Sequence, residues 1–259
     1  MSAAGLMRVL RRAWRLPLLI LLLGLGCAIA ACLPGGAGRV PSPAPMVWWS
    51  RRLCRLLGVR IVCHGTPLAG RALFVANHVS WLDIMVFAAV CPTHFLAKSE
   101  VAGWPLFGWL CRRVGTAFIR RGAGDGAQAA AAELVWRLQR HDGRVLVFPE
   151  GTSTDGRGVR RFHARLLQAA ERAQCPVQAL ALRYPVAGGG THPAVPFIGD
   201  DELLAHLWRL LGERRIDAEV SCLAPLPAGI GRDALARRSH AQIAAVLAGD
   251  DPQPRRAIG

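Results

Sequence analysis

Short apolar runs with strand character alternate with helical patterns from Val59 to the end of the chain. The run Leu73–Ala76, for example, is typical of a short buried strand. The segment Ala127–Arg140 is rich in alanine and would turn Leu134 and Leu138 inward, as in a helix packed on a core. The alternation predicts an α/β fold, with a sheet flanked by helices. The predicted strands are Val59–Cys63, Leu73–Ala76, His94–Ala97, Thr116–Ile119, Arg144–Phe148, Val177–Arg183 and Ile216–Leu223. The predicted helices include Met46–Leu57, Ala127–Arg140, His163–Gln174, Leu203–Glu213 and Asp233–Leu247.

The N-terminal segment predicts a membrane anchor. Leu16–Leu33 is a run of 18 residues without a charge, and four arginines precede it. That length is just sufficient to span a bilayer as a helix. Two alternatives remain: a cleaved signal peptide, with Ala28-Ile29-Ala30 resembling a cleavage site, and an exported lipoprotein modified at Cys32.

Basic residues on both sides of the apolar run leave its topology open. The arginines before the run and those at Arg51, Arg52 and Arg55 after it would all favour the cytoplasmic side. A helical hairpin or an anchor confined to one leaflet would resolve this conflict. We therefore expect residues 1–45 to form a basic terminus, an anchor and a Gly/Pro-rich linker, and residues 46–259 to form the functional domain at the cytoplasmic face.

The composition of the chain limits the kinds of partner that we expect it to bind. Apolar residues make up 52% of the chain and the formal net charge is +15, with Lys98 the one lysine among 32 basic residues. The chain has no basic repeat and no zinc-finger spacing, so nucleic acid is the least favoured partner. Its eight cysteines form no metal-binding spacing, and scattered thiols favour a reducing compartment. We expect membrane contact and no metal site.

Asn77, His78 and Asp83 form the most informative motif. They follow the apolar strand Leu73–Ala76, and Ser80 is a candidate helix N-cap with Asp83 as its capping-box partner. His78 would then lie in a strand-to-helix turn, where it can meet Asp83. A histidine held by a carboxylate can act as a general base. The alternative is a structural pair in which Asp83 only caps the helix.

The motif resembles the NHxxxxD signature of the glycerolipid acyltransferases, the lysophosphatidate acyltransferase-like family. Three further blocks follow in that family's order, and the resemblance covers about residues 59 to 226. These blocks are Gly115-Thr116-Ala117-Phe118-Ile119-Arg120, Phe148-Pro149-Glu150-Gly151-Thr152 and Cys175-Pro176-Val177-Gln178-Ala179. The resemblance implies a lysolipid O-acyltransferase with the family's α/β fold, a mixed sheet flanked by helices. The alternative of another class is a non-catalytic lipid-binding protein.

The resemblance also implies roles for individual residues. His78 would be the general base and Asp83 its partner. Arg120, and the turn that contains Glu150, Gly151 and Thr152, would bind the acceptor. The acyl donor would be a thioester of acyl carrier protein or coenzyme A, which has a good leaving group, so no further cofactor is expected.

One departure from the family pattern concerns the acceptor. In phosphatidate-forming members an arginine commonly follows the Gly-Thr of the third block, whereas this chain has Ser153 there and Asp155 nearby. The segments around this turn and around Ala97–Gly108 look more like the bacterial lyso-ornithine-lipid acyltransferases, whose acceptor has no phosphate. We expect a lyso-ornithine lipid as acceptor, with lysophosphatidate as the alternative, and a location at the cytoplasmic face of the inner membrane.

Overall fold

A mixed sheet of eight strands runs through the part of the chain that the computed structural model describes, which is residues 2–33, 44–103, 106–119, 125–140, 143–249 and 255–258. The strands are β1 (Val59–His64), β2 (Ala72–Ala76), β3 (His94–Lys98), β4 (Ala117–Ile119), β5 (Arg144–Val147), β6 (Val177–Arg183), β7 (Ile216–Cys222) and β8 (Arg255–Ile258). The helices within these ranges are α1 (Ala3–Cys32), α2 (Ala44–Leu57), α3 (Leu82–Val90), α4 (Ser99–Ala102), α5 (Phe107–Arg113), α6 (Asp125–Leu138), α7 (Ala164–Ala173), α8 (Leu203–Gly212) and α9 (Arg232–Ala248). All seven predicted strands are present within one residue at each end, whereas β8 is a strand that the sequence pattern did not predict.

The strand order places several chain segments at one edge of the sheet. The order is β4-β3-β5-β2-β6-β7-β1-β8, and neighbours from β4 to β6 all run parallel. β7 is antiparallel to β6 and parallel to β1, and β8 is antiparallel to β1, so the predicted mixed sheet is confirmed. Because parallel strands end at the same edge, the residues that follow β2, β5 and β6 lie together.

The central strand β2 is buried on both faces and divides the core in two. Phe74 belongs to a cluster with residues of α2 and α3. Leu73 and Val75 belong to a second cluster with residues of α6, α7 and α9 on the other face. Successive side chains of a strand alternate between faces, so the continuous apolar run Leu73–Ala76 serves both layers.

Helix α1 is fixed to the domain at its basic end by arginine side chains. Arg15 is buried and donates from Nη1 to the carbonyls of Leu57, Leu211 and Glu213. Arg11 Nε donates to the carbonyl of Gly212 over 2.7 Å. These carbonyls lie at the C-terminal ends of α2 and α8, where helices have unsatisfied acceptors and a negative dipole end. The arginines therefore cap two helices instead of lying free in solvent.

The apolar half of α1 is also attached to the domain. Trp49 of α2 donates from Nε1 to the carbonyl of Leu22 over 2.8 Å, and Gly26 leaves room for the indole. A Cβ atom at Gly26 would lie 2.6 Å from Nε1 of Trp49. Beyond it, Arg113 Nε donates to the carbonyl of Ala30 over 2.7 Å. The domain thus contacts α1 along most of its 30 residues.

Candidate active site

His78 and Asp83 meet in the turn between β2 and α3, which we call the histidine turn (residues 77–83). Nδ1 of His78 lies 2.8 Å from Oδ2 of Asp83. The same oxygen accepts hydrogen bonds from the backbone N–H groups of Val79 at 2.6 Å and Ser80 at 2.9 Å. The carboxylate therefore closes the turn around itself, and the predicted meeting of His78 and Asp83 is observed.

The helix start differs in one detail from the predicted capping box. Trp81, not Ser80, occupies the N-cap position of α3, and its side chain makes no capping hydrogen bond. The Ser80 hydroxyl accepts from the N–H of Leu82, at 3.3 Å. Asp83 does reach back to the N–H of Ser80, as in a capping box, but it shares that oxygen with Val79 and His78. The predicted N-cap role of Ser80 is therefore corrected, because the carboxylate of Asp83, and not the serine hydroxyl, shapes the turn.

Tyr184 satisfies the other oxygen of Asp83. Its hydroxyl donates to Oδ1 over 2.7 Å, and both side chains are buried. Burial, and next the neighbouring carboxylate, raise the pKa of Tyr184 well above its ordinary value, so the phenol remains a donor. Asp83 thus has four hydrogen-bond donors, which compensate for the loss of water around a buried charge.

The imidazole of His78 has one side fixed and one side open. A carboxylate oxygen can only accept a hydrogen bond, so Nδ1 of His78 supplies the proton of its bond to Asp83. In the neutral ring Nε2 then carries the lone pair. Among the described residues, no group forms a hydrogen bond to Nε2. The ring stacks on Phe148, with centroids 4.0 Å apart and planes 18° from parallel, while 21% of the side chain remains exposed. Such an imidazole can accept a proton from a hydroxyl that enters from solvent or lipid.

Glu150 is buried behind the histidine turn, and its carboxylate binds backbone N–H groups instead of facing open space. Its Oε1 accepts from the N–H of His78 at 2.8 Å, and its Oε2 accepts from the N–H of Arg160 at 2.7 Å. Burial raises the pKa of Glu150 above its ordinary value, although these two N–H bonds oppose the shift. Both carboxylate oxygens are thus engaged in positioning His78 and the segment around Arg160.

The turn that contains Glu150, Gly151 and Thr152, which we call the glutamate turn, lies beside His78. Gly151 has φ +71°, a conformation that favours glycine, and Thr152 follows it half-buried. Thr154 donates from its N–H to the carbonyl of His78 over 2.8 Å. The sequence-predicted residues His78, Asp83, Glu150, Gly151 and Thr152 therefore come together at one edge of the sheet. Arg120, which follows β4, lies outside the described residues.

Ser153 and Asp155 occupy different surroundings. The Ser153 hydroxyl donates to the carbonyl of Phe197, and Phe197 in turn donates its N–H to the carbonyl of Val79 over 3.0 Å. Asp155 is exposed. It accepts a hydrogen bond from the backbone N–H of Arg157 at 3.1 Å and forms an ion pair with the guanidinium of Arg157 at 3.8 Å. Ser153 therefore connects the glutamate turn to a loop over the histidine turn, whereas Asp155 neutralises an arginine at the surface.

Sequence reasoning assigned no individual role to three residues that build the site, although Asn77 was part of the motif. Asn77 is buried and forms two hydrogen bonds with the backbone of Leu182, at 2.9 and 2.8 Å, which extend the pairing of β2 with β6. Phe148 was quoted only as part of the third block, and Tyr184 was not singled out. A signal was available for Tyr184, since it is the one tyrosine of the chain and directly follows the strand of the fourth block.

Comparisons with known proteins show which proteins this chain is similar to. Residues 60–183 match the family model described as Acyltransferase. The chain is 41% identical over 252 residues to the lyso-ornithine lipid O-acyltransferase of Pseudomonas aeruginosa, covering 94% of this chain and 95% of that protein. It is 36% identical over 180 residues to the 1-acyl-sn-glycerol-3-phosphate acyltransferase of Neisseria gonorrhoeae, covering 69% and 70%.

A solved structure supports the fold independently of sequence. The crystal structure of the 1-acyl-sn-glycerophosphate acyltransferase of Thermotoga maritima superposes with a TM-score of 0.67. The match covers 95% of this chain and 96% of that one at 16% identity. The mixed sheet and its flanking helices, including the N-terminal segment, therefore belong to a known architecture.

Proposed function

The chain belongs to the glycerolipid acyltransferase family and is a lysolipid acyltransferase, and from that premise we propose that it transfers a fatty acyl group from a thioester to the hydroxyl of a lyso-ornithine lipid. His78 is the general base of this reaction and Asp83 is its partner. The observation that carries the assignment is the 2.8 Å contact between His78 Nδ1 and Asp83, which leaves Nε2 as a proton acceptor.

The chemistry follows from the two sides of the imidazole. Nε2 of His78 takes the proton of the acceptor hydroxyl as its oxygen attacks the thioester carbonyl. Asp83 stabilises the imidazolium that forms and keeps the ring in place. When the tetrahedral intermediate collapses, the carbon–sulfur bond breaks and the thiolate takes the proton from the imidazolium. The donor is acyl carrier protein or coenzyme A carrying the acyl chain, and no covalent enzyme intermediate is needed.

Ser153 supports the choice of a phosphate-free acceptor. A phosphate dianion is bound best by guanidinium groups that form paired hydrogen bonds. Ser153 is neutral and is engaged with the carbonyl of Phe197, and nearby Arg157 pairs with Asp155. The similarity over 94% of the chain to a protein named lyso-ornithine lipid O-acyltransferase supports the same acceptor.

The attachment of α1 supports an anchor in one leaflet. Among the described helices, α1 alone is long and apolar enough to cross a membrane. Its 30 residues correspond to about 45 Å, and a domain attached along most of that length cannot follow it through a bilayer about 30 Å thick. An exposed apolar stripe faces away from the domain, at Leu10, Trp14, Leu18, Leu21 and Leu25. We place this stripe in the cytoplasmic leaflet, on the side where acyl thioesters are made.

The test is acyl transfer by membranes that contain the protein, with lyso-ornithine lipid and lysophosphatidate offered separately. Membranes with the His78→Ala variant give the background. Transfer to lyso-ornithine lipid alone is the expected result. Transfer to lysophosphatidate alone would mean that other arginines bind a phosphate, and the acceptor assignment would be wrong while the general-base assignment survived.

A further inference from the structure

The outward face of α8 is apolar, which is unusual for a helix at the surface of a soluble domain. Its exposed residues are Leu204, Ala205 and Trp208, and the side chains of Leu204 and Trp208 are 76% and 48% exposed. Ile198 in the preceding loop is 44% exposed. The neighbouring Arg209 is paired with Asp201 at 2.8 Å and lies to the side of this face. A helix that faces water normally carries charged residues there, so this face indicates an apolar neighbour.

The apolar face of α8 continues the exposed surface of α1. The guanidinium of Arg12 lies 4.7 Å from the ring centre of Trp208 and also donates to the carbonyl of Trp208 over 3.0 Å. On the same turns of α1, Leu10 and Trp14 are exposed. An arginine beside a tryptophan is the pairing that suits the boundary between lipid headgroups and acyl chains.

We propose that α8 is a second membrane-contact element, which inserts Leu204 and Trp208 into the surface of the bilayer beside α1. This inference rests on the proposed anchoring of α1 in one leaflet and extends the lipid-facing surface to a helix of the domain itself. The partner is a bilayer with anionic headgroups, because Arg12 stands at the edge of the apolar face and its charge attracts phosphates.

The inner face of α8 shows why such a contact matters for the reaction. His206 is buried and accepts the Nε1–H of Trp81 in the histidine turn at 3.0 Å. Its own Nε2 donates to the carbonyl of Val195 over 2.9 Å, in the loop that carries Phe197. Phe197 bonds to Val79 and Ser153. Bilayer contact through α8 therefore brings the lipid surface next to the elements around His78, where a lysolipid must deliver its hydroxyl.

Photo-crosslinking tests the contact without depending on acyl transfer. The amino acid p-benzoylphenylalanine replaces Leu204, Leu21 or Trp136, one at a time, in the full chain bound to vesicles of phosphatidylethanolamine and phosphatidylglycerol. Trp136 is a matched control, because it is an exposed tryptophan of α6 with Arg140 stacked 4.8 Å above its ring. We expect radiolabelled phospholipid to be crosslinked at 204 and 21, and not at 136.

The outcomes separate this proposal from the anchor. Lipid crosslinked at 21 but not at 204 would overturn the role of α8 and leave the anchor in place. No lipid at either position would overturn both. A crosslink from 204 to a second copy of the chain would show that the apolar face is a protein interface, and would also overturn the proposal.

A kinetic experiment measures the consequence. Leu204→Glu should raise the KM for lysolipid presented in vesicles about tenfold, because a carboxylate cannot enter the acyl-chain region. Transfer to lysolipid dispersed in detergent should remain unchanged, and Trp136→Glu should alter neither value. An equal loss in detergent would indicate a damaged fold, and an unchanged KM in vesicles would contradict the proposal.

Discussion

Replacing Tyr184 with phenylalanine should lower both the Tm and the kcat of the enzyme. The hydroxyl of Tyr184 is the one described donor to Oδ1 of Asp83, at 2.7 Å, and both groups are buried. Phenylalanine fills the same space, so Tyr184→Phe removes this hydrogen bond and little else. A bond to a charged acceptor contributes about 1.5–3 kcal/mol, and losing it leaves Oδ1 without a partner.

The loss of this hydrogen bond should appear both in the thermal stability and in the rate of acyl transfer. A loss of about 2 kcal/mol corresponds to a fall in Tm of about 4–8 °C for a chain of this size. If about 1.4 kcal/mol of it is expressed in the transition state, where Asp83 faces an imidazolium, kcat falls about tenfold. KM for both substrates should stay the same, since the buried hydroxyl touches neither of them.

Thermal unfolding in detergent and steady-state acyl transfer together measure these effects. Ile243→Val is a suitable control, because Ile243 is fully buried in the other core cluster and this change costs about 0.5–1.5 kcal/mol. The control should lower Tm and leave kcat unchanged. Wild-type Tm and kcat in Tyr184→Phe, or a change in KM alone, would refute the view that Tyr184 supports Asp83.

Substitutions at three further residues provide additional tests. Arg15→Met leaves buried carbonyls of α2 and α8 without a donor, so α1 should become sensitive to limited proteolysis, and an unchanged digestion pattern would count against its capping role. Burial, and next the charge of Arg137, lower the pKa of His94 to about 4, below an unfolded value of about 6.5. His94 therefore contributes up to about 3 kcal/mol to the free energy of unfolding above pH 6.5, and this contribution is lost as the pH falls toward 4. The Tm of His94→Gln should vary less with pH in this range. A variant whose Tm profile is as steep as that of the wild type would contradict this. His206→Phe breaks the bonds to Trp81 and Val195, so kcat should fall about tenfold while His206→Gln recovers part of the loss; equal rates in both variants would exclude a positioning role.

The sequence was sufficient to predict seven of the eight described strands and the central pair of the site. Seven strands were located because buried parallel strands form compact apolar runs that differ clearly from the helical segments between them. His78 and Asp83 could be paired because they are only five residues apart in a strand-to-helix turn, where they can meet. This prediction needed no knowledge of the rest of the fold. β8 escaped prediction because Arg255–Ile258 is a short edge strand with two arginines and no alternation.

Long-range partners could not be read from the sequence in the same way. Tyr184 lies 101 positions after Asp83, and their contact depends on β6 pairing with β2. The arginines of α1 were interpreted as a topology signal, whereas Arg15 and Arg11 cap α2 and α8. Their acceptors are helix-terminal carbonyls, which every helix has, so only the packing decides which of them an arginine meets.

The central claim is that His78 is the general base, and single-turnover acyl transfer to lyso-ornithine lipid by the His78→Ala variant tests it most directly. His163→Ala, at an exposed histidine beside α7, serves as the control, and circular dichroism checks that both variants are folded. We predict that His78→Ala loses at least about a hundredfold in rate, the contribution expected of a general base, while His163→Ala keeps the wild-type rate. A folded His78→Ala variant that transfers acyl groups within a few-fold of the wild-type rate would contradict the account.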